Sequence, residues 1–214
     1  MQLEIFSDTI CPWCYIGKRR MERALRQRPM PELAIRWRAF QLNPGMPNAG
    51  MDRQQYLAAK FGSAERASRL YDTVTRVGSE EGIRFRFDRI VRTPNTMKSH
   101  RLLALAGQHG AQSPLLDRLF ATYFTEGRDI GSAEVLTEIG VAAGLPRAEI
   151  ESALAEDSPI GTSLAEDFLA RRQGINGVPY FVFNGRFGLS GAQEPEALFH
   201  MLDLAREDDA LVRV

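Results

Sequence analysis

The sequence predicts an α/β fold: a small mixed sheet assembled from both ends of the chain, with an all-helical block inserted between them. Three observations carry this. Strand-like apolar alternation occurs near the two ends, at 2–6, 33–40 and 180–189. The stretch from Asp52 to about Arg172 reads as almost entirely helical. Neither end piece completes a sheet alone, yet together they hold about 90 residues, the size of one small domain. The sheet domain is therefore 1–45 with 174–214, and the helical insertion is 46–173.

Each element follows in order. Residues 2–6 form a strand, and Asp8-Thr9-Ile10 a turn. Cys11 stands where a helix begins, with Pro12 at the first helical position, which proline favours. The helix runs to about Gln27, and Pro29 and Pro31 stop it. A second strand covers 33–40, with Trp37 in the core. Residues 41–50, rich in Pro, Gly and Asn, form a linker. In the helical block Asp52, Ser63, Ser113, Ser132 and Ser158 are expected N-caps, with Pro114 and Pro159 just inside their helices. Gly110, Gly144 and Gly174 are expected stops. Residues 84–95 are expected to be extended. A strand at 180–183 turns back through Asn184-Gly185, a strong hairpin signal, into 186–189. Pro195 opens a last helix ending near Arg206, and 207–214 is expected to be a loose tail.

Composition narrows the function classes. The apolar fraction is 44% and the charged fraction 25%, ordinary for a globular protein. Net charge is zero, so no global field recruits nucleic acid or membrane. No apolar run approaches the roughly 20 residues that span a bilayer. The N-terminus lacks a basic segment followed by a long apolar stretch, so a cytoplasmic protein is expected. Charge is uneven locally: Lys18, Arg19, Arg20, Arg23, Arg26, Arg28, Arg36 and Arg38 face only Glu22 and Glu32 in their segment. That cluster is either a solvated helix face or a positive surround for a thiolate or an anionic ligand.

Two cysteines, three residues apart, are the only ones in the chain. A zinc site needs about four ligands, and His100, His109 and His200 lack the paired spacing of a zinc module, so no metal is expected. Redox chemistry explains the pair better. A thiolate, not a thiol, attacks a disulfide. At a helix N-cap the Cys11 sulfur faces unpaired backbone N–H groups and the positive end of the dipole, which should lower its pKa from about 8.5. Cys14, one turn deeper, should resolve the mixed disulfide. Trp13 offers either an apolar surface for a substrate or simple packing. Val178-Pro179 is either an ordinary trans proline opening a strand or a cis bond.

Cys11-Pro12-Trp13-Cys14 after a first strand, then Tyr15-Ile16-Gly17-Lys18, resembles the DsbA-type branch of the thioredoxin superfamily, nearest its cytoplasmic FrnE-like members. With Gly177-Val178-Pro179 the combination is specific, and it covers nearly the whole chain. The resemblance implies a thioredoxin-like fold with an inserted helical domain. It also implies a cis Val178-Pro179 bond against Cys11, with the Val178 backbone free to pair with an extended substrate. Pro12, Trp13, Val178 and Pro179 then form the substrate-binding surface. Asn95 through His100 resembles a segment facing the site from the helical domain. His100 is either a proton shuttle or a packed histidine.

The same branch holds glutathione-dependent relatives, the kappa-class transferases and the 2-hydroxychromene-2-carboxylate isomerases, which carry serine at the cysteine positions. Glutathione is thus a conceivable co-substrate, with Ser190-Gly191-Ala192-Gln193 at a helix start to receive a carboxylate. Three functions follow: a protein disulfide oxidoreductase acting on protein or small-molecule thiols and disulfides without a bound cofactor; a glutathione-dependent isomerase or transferase; and a chaperone or binding module. Trp13 leaves the redox direction open, and monomer and homodimer are equally compatible.

Overall fold

The computed structural model describes residues 1–155 and 162–212. β1 (Gln2–Ser7), α1 (Pro12–Gln27) and β2 (Ala34–Ala39) come first. The helical stretch follows: α2 (Arg53–Phe61), α3 (Ala64–Glu80), α4 (Met97–Gln108), α5 (Gln112–Ala121), α6 (Ala133–Ala142), α7 (Arg147–Leu154) and α8 (Thr162–Arg172). β5 (Tyr180–Phe183), β6 (Phe187–Ser190) and α9 (Pro195–Val212) close the chain. Two short strands, β3 (Met51–Asp52) and β4 (Arg92–Thr93), pair within the helical part.

The main sheet has the order β2-β1-β5-β6, with β2 parallel to β1 and the hairpin antiparallel. The two ends of the chain thus do meet in one mixed sheet. Asn184 and Gly185 have φ of 50° and 69°, the positive values a two-residue hairpin requires. Alternation sorts the faces. Leu3, Ile5, Trp37, Phe181 and Phe183 share one buried cluster with α1 and α9 residues such as Ile16, Leu198 and Leu202. Phe6 and Phe40, on the other face, meet Ala170 of α8. So α8, which lies in the sequence range of the insertion, also covers the sheet. The larger cluster runs on into the helical block without a break. Tyr15 enters that block, stacked on Phe120 at 4.9 Å and edge-on to Phe85 at 6.0 Å.

The caps at Asp52, Ser63 and Ser132 are made as their residue types predict. Three expectations change. Ser113 is not an N-cap: α5 starts at Gln112, and Pro114 falls in its first turn. The Gln112 amide instead accepts from Trp37 N and donates to Trp37 O, occupying the free edge of β2. Residues 84–95 are not simply extended, since a 3-10 turn at Phe87–Arg89 precedes β4. Residues 207–212, expected in a loose tail, are helical. α9 continues to Val212, because no breaker interrupts it and Arg186 pairs with Asp208. The Ser158 cap and Pro159 lie outside the described residues.

Candidate functional site

The site forms where β1 hands over to α1. Cys11 is the N-cap, with extended backbone (φ −91°, ψ 112°), and Pro12 follows in the first helical turn. The Cys14 N–H returns to the Cys11 carbonyl at 3.1 Å, which brings the second cysteine under the first. Both are free thiols; Cys11 is 3% exposed and Cys14 0%. Trp13 points outward, 37% exposed, among the large apolar side chains left at the surface.

The far wall comes from the other end of the chain. The Val178-Pro179 peptide is cis, and Cys11 Sγ donates to the Val178 carbonyl at 3.5 Å. Gly17 makes this approach possible. A Cβ there would stand 3.0 Å from Pro179 Cγ and 3.5 Å from both Ala192 and Phe181. The glycine in the helix is therefore a packing requirement, and its cost of about 1 kcal/mol in helix propensity is set against that contact.

The two sulfurs differ sharply in environment. Burial pushes the Cys14 thiol well above its ordinary 9.0, and hydrogen bonding to Cys11 and the charge at Cys11 push it further. The Ser7 hydroxyl and the Asp8 backbone N–H, both against the Cys14 sulfur, oppose this without overcoming it. Cys14 is thus held as a thiol until something takes its proton.

The other predicted residues divide. His100 is buried on α4, with Nε2 3.3 Å from Asp8 Oδ1. Beside this pair the Thr9 and Ser99 hydroxyls meet at 2.7 Å. Asn95 is structurally committed: its amide donates to Met46 O at 2.7 Å and accepts from Met97 N at 2.9 Å. Ser190 is exposed at the end of β6, and α9 begins only at Pro195. The stretch from Ser190 to Gln193 is therefore a turn and not a helix start. Glu194, just before α9, is paired with Arg20 and Arg23.

The basic segment is neither a solvated face nor a surround of the cysteines. Lys18 is fully buried and reaches Asp117 Oδ2 at 2.7 Å, with Glu22 on its other side. Arg20 and Arg23 share Glu81 at 2.9 and 2.7 Å, and Arg28 meets Asp203 at 2.5 Å. Arg38 pairs with Glu4 and Glu166. Most of the cluster ties α1 and β2 to the helices around them.

Residue patterns missed Ser7, Asp8 and Tyr56. Asp8 and Ser7 looked like a polar turn, yet they are 0% and 1% exposed. Tyr56 of α2 accepts from Asn43 Nδ2 at 3.3 Å and lies close enough to the site that charge at Asp8 and Cys11 adds to the upward shift burial gives its phenol. Its neighbour Arg53, buried, bonds the hydroxyls of Tyr71 and Thr93 at 2.6 and 3.0 Å. Only the polar residues flanking Ile10-Cys11 hinted at any of this.

A pair of cysteines at a helix start, facing a proline loop on a mixed sheet with inserted helices, defines a class. The chain belongs to the DSBA-like thioredoxin domain family, whose model matches residues 2–203. It is similar to the probable DsbA oxidoreductase of Streptomyces coelicolor, 34% identical over 97% of this chain and 90% of that one, with a TM-score of 0.86. Cytosolic disulfide reductase DsbM of Pseudomonas aeruginosa shares the fold at 21% identity and a TM-score of 0.68, covering 95% of this chain and all of that one; DsbM has also been solved with GSH. A 2-hydroxychromene-2-carboxylate isomerase shares it at 16% identity and a TM-score of 0.72, over 99% of each chain. Among the described residues no helix is long and apolar enough to cross a membrane.

Proposed function

We propose that the protein is a thiol–disulfide oxidoreductase cycling between a Cys11/Cys14 dithiol and a disulfide. The carrying observation is the asymmetric pair: Cys11 at the helix tip against Val178 O, and Cys14 beneath it, held protonated. The Cys11 thiolate attacks one sulfur of a substrate disulfide, and the other sulfur leaves as a thiolate. Cys14 then loses its proton and attacks Cys11 Sγ, and the second substrate thiolate departs. Two electrons pass from the dithiol to the substrate. The reverse sequence oxidises a substrate dithiol.

Pro12, Trp13, Val178 and Pro179 form the docking surface, where Trp13 supplies apolar area and the Val178 backbone a strand-like contact. Protein and small-molecule disulfides both suit this edge. Glutathione is the favoured small thiol, a reading supported by the similar fold solved with GSH. The cytoplasm is the proposed compartment.

Insulin reduction with dithiothreitol or glutathione tests the proposal. Turnover by the intact protein is expected, and Cys14→Ser should trap a mixed disulfide through Cys11. No turnover, or full turnover without Cys11, overturns it.

A further inference from the structure

One polar side chain inside the sheet domain is unused by the chemistry above. On β1, Leu3, Ile5 and Ser7 alternate onto one face, and the register sets Ile5 beside Trp37 and Ser7 beside Ala39 of β2. Leu3, Ile5 and Trp37 share a buried cluster with Cys14 and Ile16 of α1, and Ala39 is buried too. Ser7 is the polar member of this layer and is 1% exposed. Its hydroxyl makes no aligned hydrogen bond among the described residues. A buried hydroxyl without a partner weakens a fold, and an alanine like the one opposite would fill the same place without that cost.

What the hydroxyl faces suggests its use. The Asp8 carbonyl accepts from Cys11 N at 3.0 Å, so the turn after β1 draws the tip of α1 back over the strand end. The fully buried Cys14 sulfur there meets two donors from consecutive residues, the Ser7 O–H and the Asp8 N–H. Cys11 Sγ faces an acceptor instead, the Val178 carbonyl. A thiol sulfur accepts hydrogen bonds weakly, whereas an ionised acceptor makes strong ones. The two donors therefore hold a protonated Cys14 loosely and grip it as negative charge develops on the sulfur.

We propose that Ser7 is a catalytic residue of the resolving step: its hydroxyl, with the Asp8 N–H beside it, forms a two-donor cradle for negative charge on the Cys14 sulfur while the Cys11–Cys14 bond forms or breaks. This rests on the oxidoreductase reading. In resolution Cys14 gives its proton to solvent and keeps the electron pair. That pair makes the bond to Cys11 Sγ as the bond from Cys11 to the substrate sulfur breaks, and the substrate sulfur leaves as a thiolate. In the reverse direction a substrate thiolate attacks Cys11 Sγ, and Cys14 leaves as a thiolate into the same cradle before a proton from solvent neutralises it. Ser7 gives up no proton in either direction; its O–H only turns onto the sulfur. Neither the Cys14 thiol nor the disulfide carries the charge, so the cradle lowers the barrier between them without shifting their balance.

The test follows the two thiolates released when reduced protein meets an excess of a chromogenic aromatic disulfide in stopped flow. The first phase, attack by Cys11, rises with disulfide concentration; the second, closure by Cys14, is intramolecular and does not. In Ser7→Ala the second phase should slow by about tenfold, less than the loss of a donor to an oxyanion because sulfur accepts more weakly. The first phase should hold. Reduction of the oxidised variant by glutathione should slow by the same factor, leaving the equilibrium constant with glutathione within about twofold of wild type. The isosteric pair Ser7→Thr and Ser7→Val separates the donor from the shape of the side chain. Thr should close several-fold faster than Val. A second phase unchanged in Ser7→Ala overturns the proposal, as do equal rates for Thr and Val. A slowed closure matched by an equal fall in the equilibrium constant also overturns it, because it marks a structural role. The Thr and Val pair decides alone if Ser7→Ala does not fold. A wild-type protein that releases only one thiolate overturns the oxidoreductase reading itself, a distinct result.

Discussion

The two ends of α1 are built on opposite principles. At its N-terminus the helix carries two cysteines with few strong contacts: Cys11 has a long contact to one carbonyl, and Cys14 lies in a small polar nest. From Lys18 to Arg28 the same helix is tied down by charge, with Asp117, Glu81, Glu194 and Asp203 reaching it from α5, α3 and the last helix with its lead-in. The anchored end fixes the helix in place, so the reactive end need not be held by its own side chains. Activity and stability should therefore separate along one helix.

The largest effect should come at the reactive end. Cys11→Ser should abolish turnover in the insulin assay while the thermal midpoint stays near wild type. Alkylation should report the same asymmetry: at about pH 8 iodoacetamide should label Cys11 and leave Cys14 unmodified by mass spectrometry, because burial and the neighbouring Cys11 hold its thiol well above 9.0. Labelling of both sites at equal rates would erase the contrast.

Lys18→Met should show the reverse pattern. It removes the buried one of the two cations that Glu22 and Asp117 share, leaving the half-buried Arg19 to face both. Breaking a buried pair costs about 3–5 kcal/mol, and the partial exposure of both carboxylates reduces this to roughly 2–3. Urea unfolding measures it, and activity per folded molecule should be kept. Gly17→Val sits at the junction and should damage both properties, since its Cβ meets Pro179. A loss of about 1–3 kcal/mol is expected for such overpacking, with reduced turnover.

The pH dependence sharpens the anchored end further. Burial alone would raise the Glu22 carboxyl, but hydrogen bonds and charge from Lys18, then Arg19, outweigh it and hold it below its ordinary 4.5. A folded-state pKa below the unfolded one means stability that is complete above 4.5 and lost as pH falls through the lower, folded value. Urea midpoints of wild type and Glu22→Gln should therefore converge in acid and diverge above that pH. The smallest effect belongs to Trp13→Ala. With its indole 37% exposed, it should raise KM for a peptide disulfide several-fold and change stability by under about 0.5 kcal/mol.

How far the sequence could be read depended on range. Cys11 as N-cap with Pro12 behind it, the Asn184-Gly185 hairpin and the caps at Asp52, Ser63 and Ser132 were legible because each is decided within a few residues. Ser113 misled because Gln112 was drawn into α5 by its bonds to Trp37, 75 positions away. Ser190 misled because it closes β6, and a turn separates it from α9, which opens at Pro195 as expected. The basic run looked like a solvated face or a thiolate surround because its acidic partners Glu81, Asp117, Glu194 and Asp203 are far off in sequence.

From the sequence alone came the cysteine pair at the start of α1, the sheet split between the two ends of the chain and the helical stretch between them. Spacing, capping and periodicity are local, and a short stretch of chain carries them. Tertiary structure alone decided which polar groups share the buried space around Asp8. Ser7 and Asp8 belong to β1 and the turn after it, whereas His100 arrives on α4, 92 positions after Asp8, through packing between the sheet domain and the insertion. Nothing in the local pattern of either segment encodes that meeting, because burial is a property of the assembled core and not of the strand or helix that enters it.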